Sequence, residues 1–154
     1  MKPDAPPSDE VKPALRWVRD LMTRTVRSVR PSTPLREVIS LMQQLRVRHM
    51  PVVDERRRLR GLISHRDIIT AHFMVTVAES GEERNAGQLM TRELDTTAAD
   101  ACLHCVAGLM FERKRGCMPV VDKEQRLVGI LTEADFVRAF RDAAACIHQP
   151  TSDA

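Results

Sequence analysis

The chain has 154 residues, 43% of them hydrophobic, with one Trp, four Phe and no Tyr. That suffices for one domain, or two small units sharing a core of Val, Leu, Ile, Met and Ala. No apolar run approaches the roughly 18 residues of a membrane span, and the polar, Pro-rich first ten residues carry no secretion signal, so a cytoplasmic protein without a membrane segment is expected.

The net charge of +3 is unevenly placed: residues 1–77 hold 15 Lys and Arg against 8 Asp and Glu, residues 78–154 hold 9 against 13. Such an imbalance favours an anionic ligand on one side, or the pairing of unlike halves or chains.

In chain order, residues 1–12 read as a disordered tail. Leu15, Val18, Leu21 and Met22 then recur at helical spacing. Trp17 is too large to leave in water cheaply, so this segment is expected to pack on the rest of the protein or on a second chain. Residues 26–29 form a short extended piece. Thr33 is placed to cap a helix and Pro34 to fill its first turn, with Leu35, Val38, Ile39, Leu41, Met42 and Leu45 as its apolar face. Strands at 49–54 and 59–64, joined by a polar turn, make a β-hairpin. A helix follows from 65 to about 77, with Ile68, Ile69 and Phe73 as core contacts. Residues 79–85 are a hydrophilic linker containing the helix-stopping Gly81.

The second half repeats the order: a short helix at 86–90, an extended piece at 94–97, a helix capped by Asp100 running to 114, strands at 118–122 and 127–131, a helix at 132–146, and a tail at 147–154. The repetition is literal. At a constant offset of 68 residues, 18 of 53 pairs between 21–73 and 89–141 are identical, which marks an internal duplication. Each unit, 13–78 and 86–146, reads strand, helix, strand, strand, helix. A unit of that size buries too little surface alone. The expected fold is therefore α/β (α+β), two β-α-β-β-α repeats packed as a pseudo-twofold sandwich.

Cys102-Leu103-His104-Cys105 resembles half of a zinc site, but the chain lacks a second pair at suitable spacing. Small thiols packed on a helix are the expectation, with no metal and no structural disulfide. The five histidines form no evident triad with cysteines or carboxylates, so no catalytic residue is assigned. Arg56, Arg57, Arg58 and Arg60 sit on a hairpin turn without aromatic neighbours, and their repeat counterpart, Glu124-Gln125-Arg126, is not basic. A solvated turn is expected there rather than a nucleic-acid surface.

Leu21-Met22-Thr23, Met50-Pro51-Val52-Val53-Asp54 and Gly61-Leu62-Ile63-Ser64-His65-Arg66-Asp67 recur as Leu89-Met90-Thr91, Met118-Pro119-Val120-Val121-Asp122 and Gly129-Ile130-Leu131-Thr132-Glu133-Ala134-Asp135. With these motifs in this order, residues 15–145 resemble a tandem pair of cystathionine-β-synthase (CBS) domains, a Bateman module. The resemblance implies a regulatory module for adenosine-containing ligands, without catalysis.

The residues support that chemistry independently. A Ser or Thr leaving a strand for a helix gathers a hydroxyl and free N–H groups where a phosphate fits. An Asp one turn on can accept from a ribose diol. Helix capping alone explains the same residues without a ligand.

The resemblance further implies two clefts, each borrowing from both repeats. One combines Thr132 and Asp135 with Thr25, Val26, Arg48, His49, Met50 and Pro51. The other combines Ser64, His65, Arg66 and Asp67 with Leu94, Cys117, Met118 and Pro119. Glu133 and the neutral Gly116-Cys117 make the clefts electrically unequal, so one good site is expected. The resulting expectation is a stand-alone module needing no cofactor. Its regulatory ligand is an adenine nucleotide (AMP, ADP or ATP) or S-adenosylmethionine. It forms a homodimer and signals to a protein effector in trans. The alternative is a structural dimerisation or interaction adaptor with degenerate sites.

Overall fold

The structure, a computed structural model, describes residues 15–75 and 84–147, the side chains of 72–75 and 145–147 excepted. The expected tail at 1–12, residues 148–154 of the expected tail at 147–154, most of the 79–85 linker and the core role of Phe73 lie outside the described residues, while Ile147 closes the last helix. The elements are α1 (Val18–Leu21), α2 (Leu35–Leu45), β1 (His49–Val53), β2 (Leu59–Ser64), α3 (His65–Val75), α4 (Ala86–Leu89), α5 (Leu103–Glu112), β3 (Cys117–Val121), β4 (Leu127–Thr132) and α6 (Glu133–Ile147).

β1 and β2 pair antiparallel with Met50 opposite Ile63; β3 and β4 pair identically with Met118 opposite Leu131. Val29 bridges Val52 in parallel and Thr97 bridges Val120 in parallel, so an extended piece precedes α2 and α5 on each hairpin. The fold is thus α+β, two β-α-β-β-α-like repeats. The Asp that closes each Met-Pro-Val-Val-Asp motif organises the turn. Asp54 Oδ1 accepts from the backbone N–H groups of Arg56 and Arg58, and Asp122 Oδ1 accepts from those of Glu124 and Arg126. These bonds hold the turns in which Arg57 and Gln125 take φ of 62° and 63°. The turns then meet each other: Leu59 N donates to Gln125 O and Leu127 N to Arg57 O, both at 2.9 Å. Part of the arginine cluster is used here, since Arg60 also pairs with Asp54.

Each core contains a piece of the opposite repeat. Val29, Val38, Met42, Met50, Val52 and Ile63 of the first half enclose Ala86 and Met90 from α4 and its C-cap. Leu103, Val106, Met110, Met118, Val120 and Leu131 of the second half enclose Val18, Leu21 and Met22 from α1 and its C-cap. Main-chain pairs fasten the exchange. Thr23 and Ile130 bond reciprocally, both at 2.9 Å, and Thr91 and Leu62 do so at 2.9 and 3.0 Å. Every one of these bonds has its partner at the 68-residue offset, so the pseudo-twofold relation holds at the level of main-chain hydrogen bonding.

The two crossings demand glycine. A Cβ on Gly61 would fall 2.8 Å from Met90 Cβ, and one on Gly129 would fall 2.6 Å from Met22 Sδ and 3.1 Å from the Thr23 carbonyl. The shared Gly of the two motifs therefore exists for close approach of the exchanged segment.

Four local expectations are corrected. The N-cap of α2 is Pro34, while the Thr33 hydroxyl accepts from Arg30 N in the preceding turn. The N-cap of α5 is Cys102, not Asp100. Ile69 stays 45% exposed, because the inner face of α3 is taken by Ile68 and Ala71. Trp17 stays 40% exposed with the Arg19 guanidinium 5.6 Å from its ring centroid, so the core contacts of this segment come from Val18 and Leu21 instead. Among the described residues no helix is long and apolar enough to cross a membrane.

Gly61→Ala is expected to cost about 1–3 kcal/mol, the usual range for overpacking. Urea unfolding midpoints measure it; an unchanged midpoint would contradict the close crossing of Met90 over Gly61.

Candidate ligand-binding cleft

The corner at the end of β4 is built by its own sequence. Thr132 ends the strand and Asp135 lies in the first turn of α6, the spacing of a capping box. Asp135 Oδ2 accepts from Thr132 N and Thr132 Oγ1, both at 2.8 Å. Its Oδ1 accepts from Arg138 Nη2 at 2.7 Å and, across the repeat boundary, from Thr23 Oγ1 at 3.3 Å. Asp135 is 3% exposed, the one buried charged residue among those described. Each carboxylate oxygen thus receives two donors, and the capping role is fully realised.

In front of this corner lies a cavity of about 370 Å³ between the halves. The crossing segment after α1 supplies Thr23, Thr25 and Val26; the end of α2 and the start of β1 supply Leu45, Val47, Arg48 and His49; the second half supplies Ile130, Thr132, Ala134 and Asp135. The structure therefore brings Thr25, Val26, Arg48, His49, Thr132 and Asp135 together around one space. Met50 and Pro51 lie beneath it, buried in β1, and do not line it.

The lining also includes residues that sequence reasoning missed. Arg27, Arg46 and Arg138 join Arg48 in the wall. Arg27, Arg46 and Arg48 have no carboxylate partner among the described residues, whereas Arg138 holds Asp135. An adjoining groove of about 520 Å³ continues outward past Arg48, Glu133, Arg138 and Arg141. Leu45, Val47, Val26 and Ile130 make the other wall apolar. The excess of Arg in residues 1–77 was the sequence signal for this wall. Its focus at the ends of α2 and of the crossing segment needed the fold.

The pseudo-equivalent corner has the same geometry and different surroundings. Asp67 Oδ2 accepts from Ser64 N and Ser64 Oγ, both at 2.7 Å, and Asp67 N donates back to Ser64 Oγ at 3.2 Å. His65 and Arg66 are exposed on the first turn of α3, Leu94 is half-buried, and Cys117, Met118 and Pro119 are buried in β3. At the positions equivalent to Arg27, Leu45 and Val47 stand Asp95, Arg113 and Arg115. Both arginines pair with Asp95, Arg115 Nε at 2.9 Å. Here two guanidinium groups share one carboxylate, and of the four apolar wall positions two, Leu62 and Leu94, stay apolar while the other two carry Arg113 and Arg115. Burial pushes the Cys117 thiol up to about 12, so this side presents an inert thiol where the first cleft presents His49.

His49 sits where the halves meet, against Gly116 and Glu133. Burial foremost, and the Arg48 charge next, hold its pKa below the ordinary 6.5; Glu133 and Asp67 oppose them more weakly. The ring is neutral at pH 7 and offers the cleft a hydrogen-bonding group without charge.

Two hairpin units that exchange helices and enclose a cleft between the halves define a tandem-repeat module. The chain belongs to the CBS domain family, whose pattern matches residues 18–73 and 86–142. It is similar over 86% of its length to a Vibrio cholerae protein assigned to acetoin utilization (AcuB), with 32% identity, 97% of that chain covered and a TM-score of 0.79. It is similar to CBSX2 of Arabidopsis thaliana, whose crystal structure contains AMP (29% identity, 83% and 98% of the two chains, TM-score 0.72). It is also similar to the CBS domain pair of protein MJ0100, solved with 5′-methylthioadenosine and S-adenosyl-L-methionine (27% identity, 80% and 98%, TM-score 0.72). The chain spans about a quarter of the length of the first curated relatives it matches. One is the inosine-5′-monophosphate dehydrogenase of Aquifex aeolicus, 29% identical over 77% of this chain and 23% of that enzyme.

The depressed pKa of His49 sets a pH dependence. Below about 6.5 the unfolded chain takes up a proton that folded His49 refuses, so its contribution to stability is present above pH 6.5 and is lost as pH falls toward the folded value. Urea unfolding between about pH 7 and pH 5, above the range where carboxylates titrate, is expected to show a shallower decline for His49→Asn than for wild type. Equal slopes would contradict a half-buried His49 held neutral in the folded protein.

Proposed function

We propose that the protein is a cytoplasmic regulatory module that binds an adenosine-containing ligand in the Thr132–Asp135 cleft and passes its state to a protein partner in trans. The observation that carries this reading is the cavity itself: a hydroxyl–carboxylate corner, an apolar wall and four arginines around one space between the halves. The AMP in CBSX2 and the methylthioadenosine and S-adenosylmethionine in the MJ0100 pair supply the chemical class.

Three guanidinium groups without carboxylate partners favour a phosphorylated ligand over the cationic S-adenosylmethionine. Val26, Leu45 and Val47 offer an apolar surface for the base, and Asp135 is the acceptor for a ribose. Because both oxygens of Asp135 are already engaged, a diol gains access by displacing the half-exposed Arg138. The displaced guanidinium lies on the border of the adjoining groove, where it meets the phosphate of the same ligand. Breaking one charge-assisted bond is thus offset by making another. No reacting group is assigned: the role is binding, and the ligand shifts conformation only by its differential affinity for the states.

The module pairs with a second copy through the outer faces of α3 and α6. Ile69 and Val137 occupy equivalent positions in the two repeats and are 45% and 68% exposed, with Phe140 beside Val137 at 76%. An apolar patch of this kind on the outer helix faces suits an isologous interface.

Thermal unfolding with AMP, ADP, ATP and S-adenosylmethionine tests the reading. A nucleotide at 100 times its dissociation constant adds about 2.7 kcal/mol to the folded state, a rise of several degrees for this size. The rise is expected to vanish in Asp135→Asn and to persist in Asp67→Asn. Absence of any shift in a folded sample would favour the adaptor with degenerate sites.

A further inference from the structure

Cys102 and Cys105 stand apart from both clefts. Cys102 is the N-cap of α5, a ten-residue helix, in the extended conformation, and its Sγ accepts from Cys105 N at 3.4 Å. Cys105 is one turn on, on the same side of the helix, where side chains three apart are neighbours. Neither thiol is packed away as the sequence suggested: Cys102 is half-buried, Cys105 is exposed, and among the described cysteines Cys117 is the buried one. The repeat counterparts of the pair are Pro34 and Glu37, and α2 begins there without sulfur, so the fold does not require the thiols. Among the described residues no third ligand approaches to make a metal site.

We infer that Cys102 and Cys105 form a redox-active dithiol that closes to a disulfide by exchange with a small disulfide of the glutathione class. A Cys-x-x-Cys pair with its first sulfur at a helix N-terminus is the arrangement that favours such exchange. The Cys105 thiol and backbone N–H groups bonded to Cys102 lower the pKa of Cys102, while the same thiol–thiol bond raises that of Cys105. Cys102 is accordingly the attacking sulfur and Cys105 the resolving one.

The Cys102 thiolate attacks one sulfur of oxidised glutathione; the glutathione S–S bond breaks and one glutathione thiolate leaves. Cys105, losing its proton to solvent, then attacks the Cys102 sulfur and expels the second glutathione. Two protein sulfurs are oxidised, two glutathione sulfurs are reduced, and the two thiol protons end on glutathione.

The pair lies under the seat of α1. Trp17, the single tryptophan of the chain, bridges Cys102, and Val18 N and Leu103 N bond to Ala101 O and Arg16 O at 3.0 and 2.9 Å. Oxidation therefore acts on the strand-like lead into the exchanged helix, and Trp17 fluorescence reports it.

The test is to equilibrate the folded protein with mixtures of reduced and oxidised glutathione, alkylate, and map the cysteines by mass spectrometry. The expected result is a Cys102–Cys105 disulfide at ratios that leave Cys117 reduced, with a change in Trp17 emission. Cys105→Ser, at an exposed position, is expected to stop at the Cys102–glutathione adduct. Cys102→Ser, which keeps an N-cap hydroxyl, is expected to react about tenfold more slowly or less. Both thiols remaining reduced until the protein unfolds, or a glutathione adduct persisting in wild type because Cys105 fails to resolve it, would overturn the inference.

Discussion

The reciprocal main-chain pairing of Thr23 with Ile130, and of Thr91 with Leu62, holds the molecule together in a particular sense. Each pair docks a short helix from one repeat into the core of the other, so neither hairpin has a complete hydrophobic core by itself. A unit of about 55 residues buries too little surface to be comfortable alone; exchange makes each unit a condition for the other. Gly61 and Gly129 permit the exchange, because only a residue without Cβ lets Met90 and Met22 cross so close to the strand. The same crossing places Thr23, Thr25 and Val26 against the Thr132–Asp135 corner. The cleft is therefore a product of the exchange, and a ligand held there touches both halves at once.

Symmetry of the backbone is accompanied by asymmetry of charge. Both corners share the hydroxyl–carboxylate geometry, yet one faces arginines without carboxylate partners and an apolar wall, while in the other repeat three of the equivalent positions hold the Arg113–Asp95–Arg115 cluster. A surface ion-pair cluster of this kind contributes little to stability. It does occupy both guanidinium groups with a carboxylate that an anionic ligand would have to compete with. The duplicated chain has thus kept two copies of a scaffold and differentiated one of them.

Much of this was legible in the sequence because it is written in local chemistry. The 68-residue offset, the hairpins and the Ser/Thr-x-x-Asp corners are short-range patterns. Thr25, Val26, Arg48, His49, Thr132 and Asp135 were named before the fold placed them around one cavity. The exchange of α1 and α4 was not legible: Val18 and Leu21 mark an apolar face, and periodicity does not say which core receives it. The partner of Asp135 was missed for a similar reason, since an arginine three residues along a helix reads as any solvated surface charge until its guanidinium is seen on a buried carboxylate. The caps at Thr33 and Asp100 were misplaced by one or two residues because Ser, Thr and Asp satisfy turns and helix ends alike.

The central claim is that the Thr132–Asp135 cleft alone is a working site. Titration calorimetry with AMP measures it most directly through stoichiometry. The account predicts one molecule bound per chain, with affinity falling as salt screens the arginines. Two molecules per chain, or one molecule whose binding is abolished by Asp67→Asn and untouched by Asp135→Asn, would contradict it.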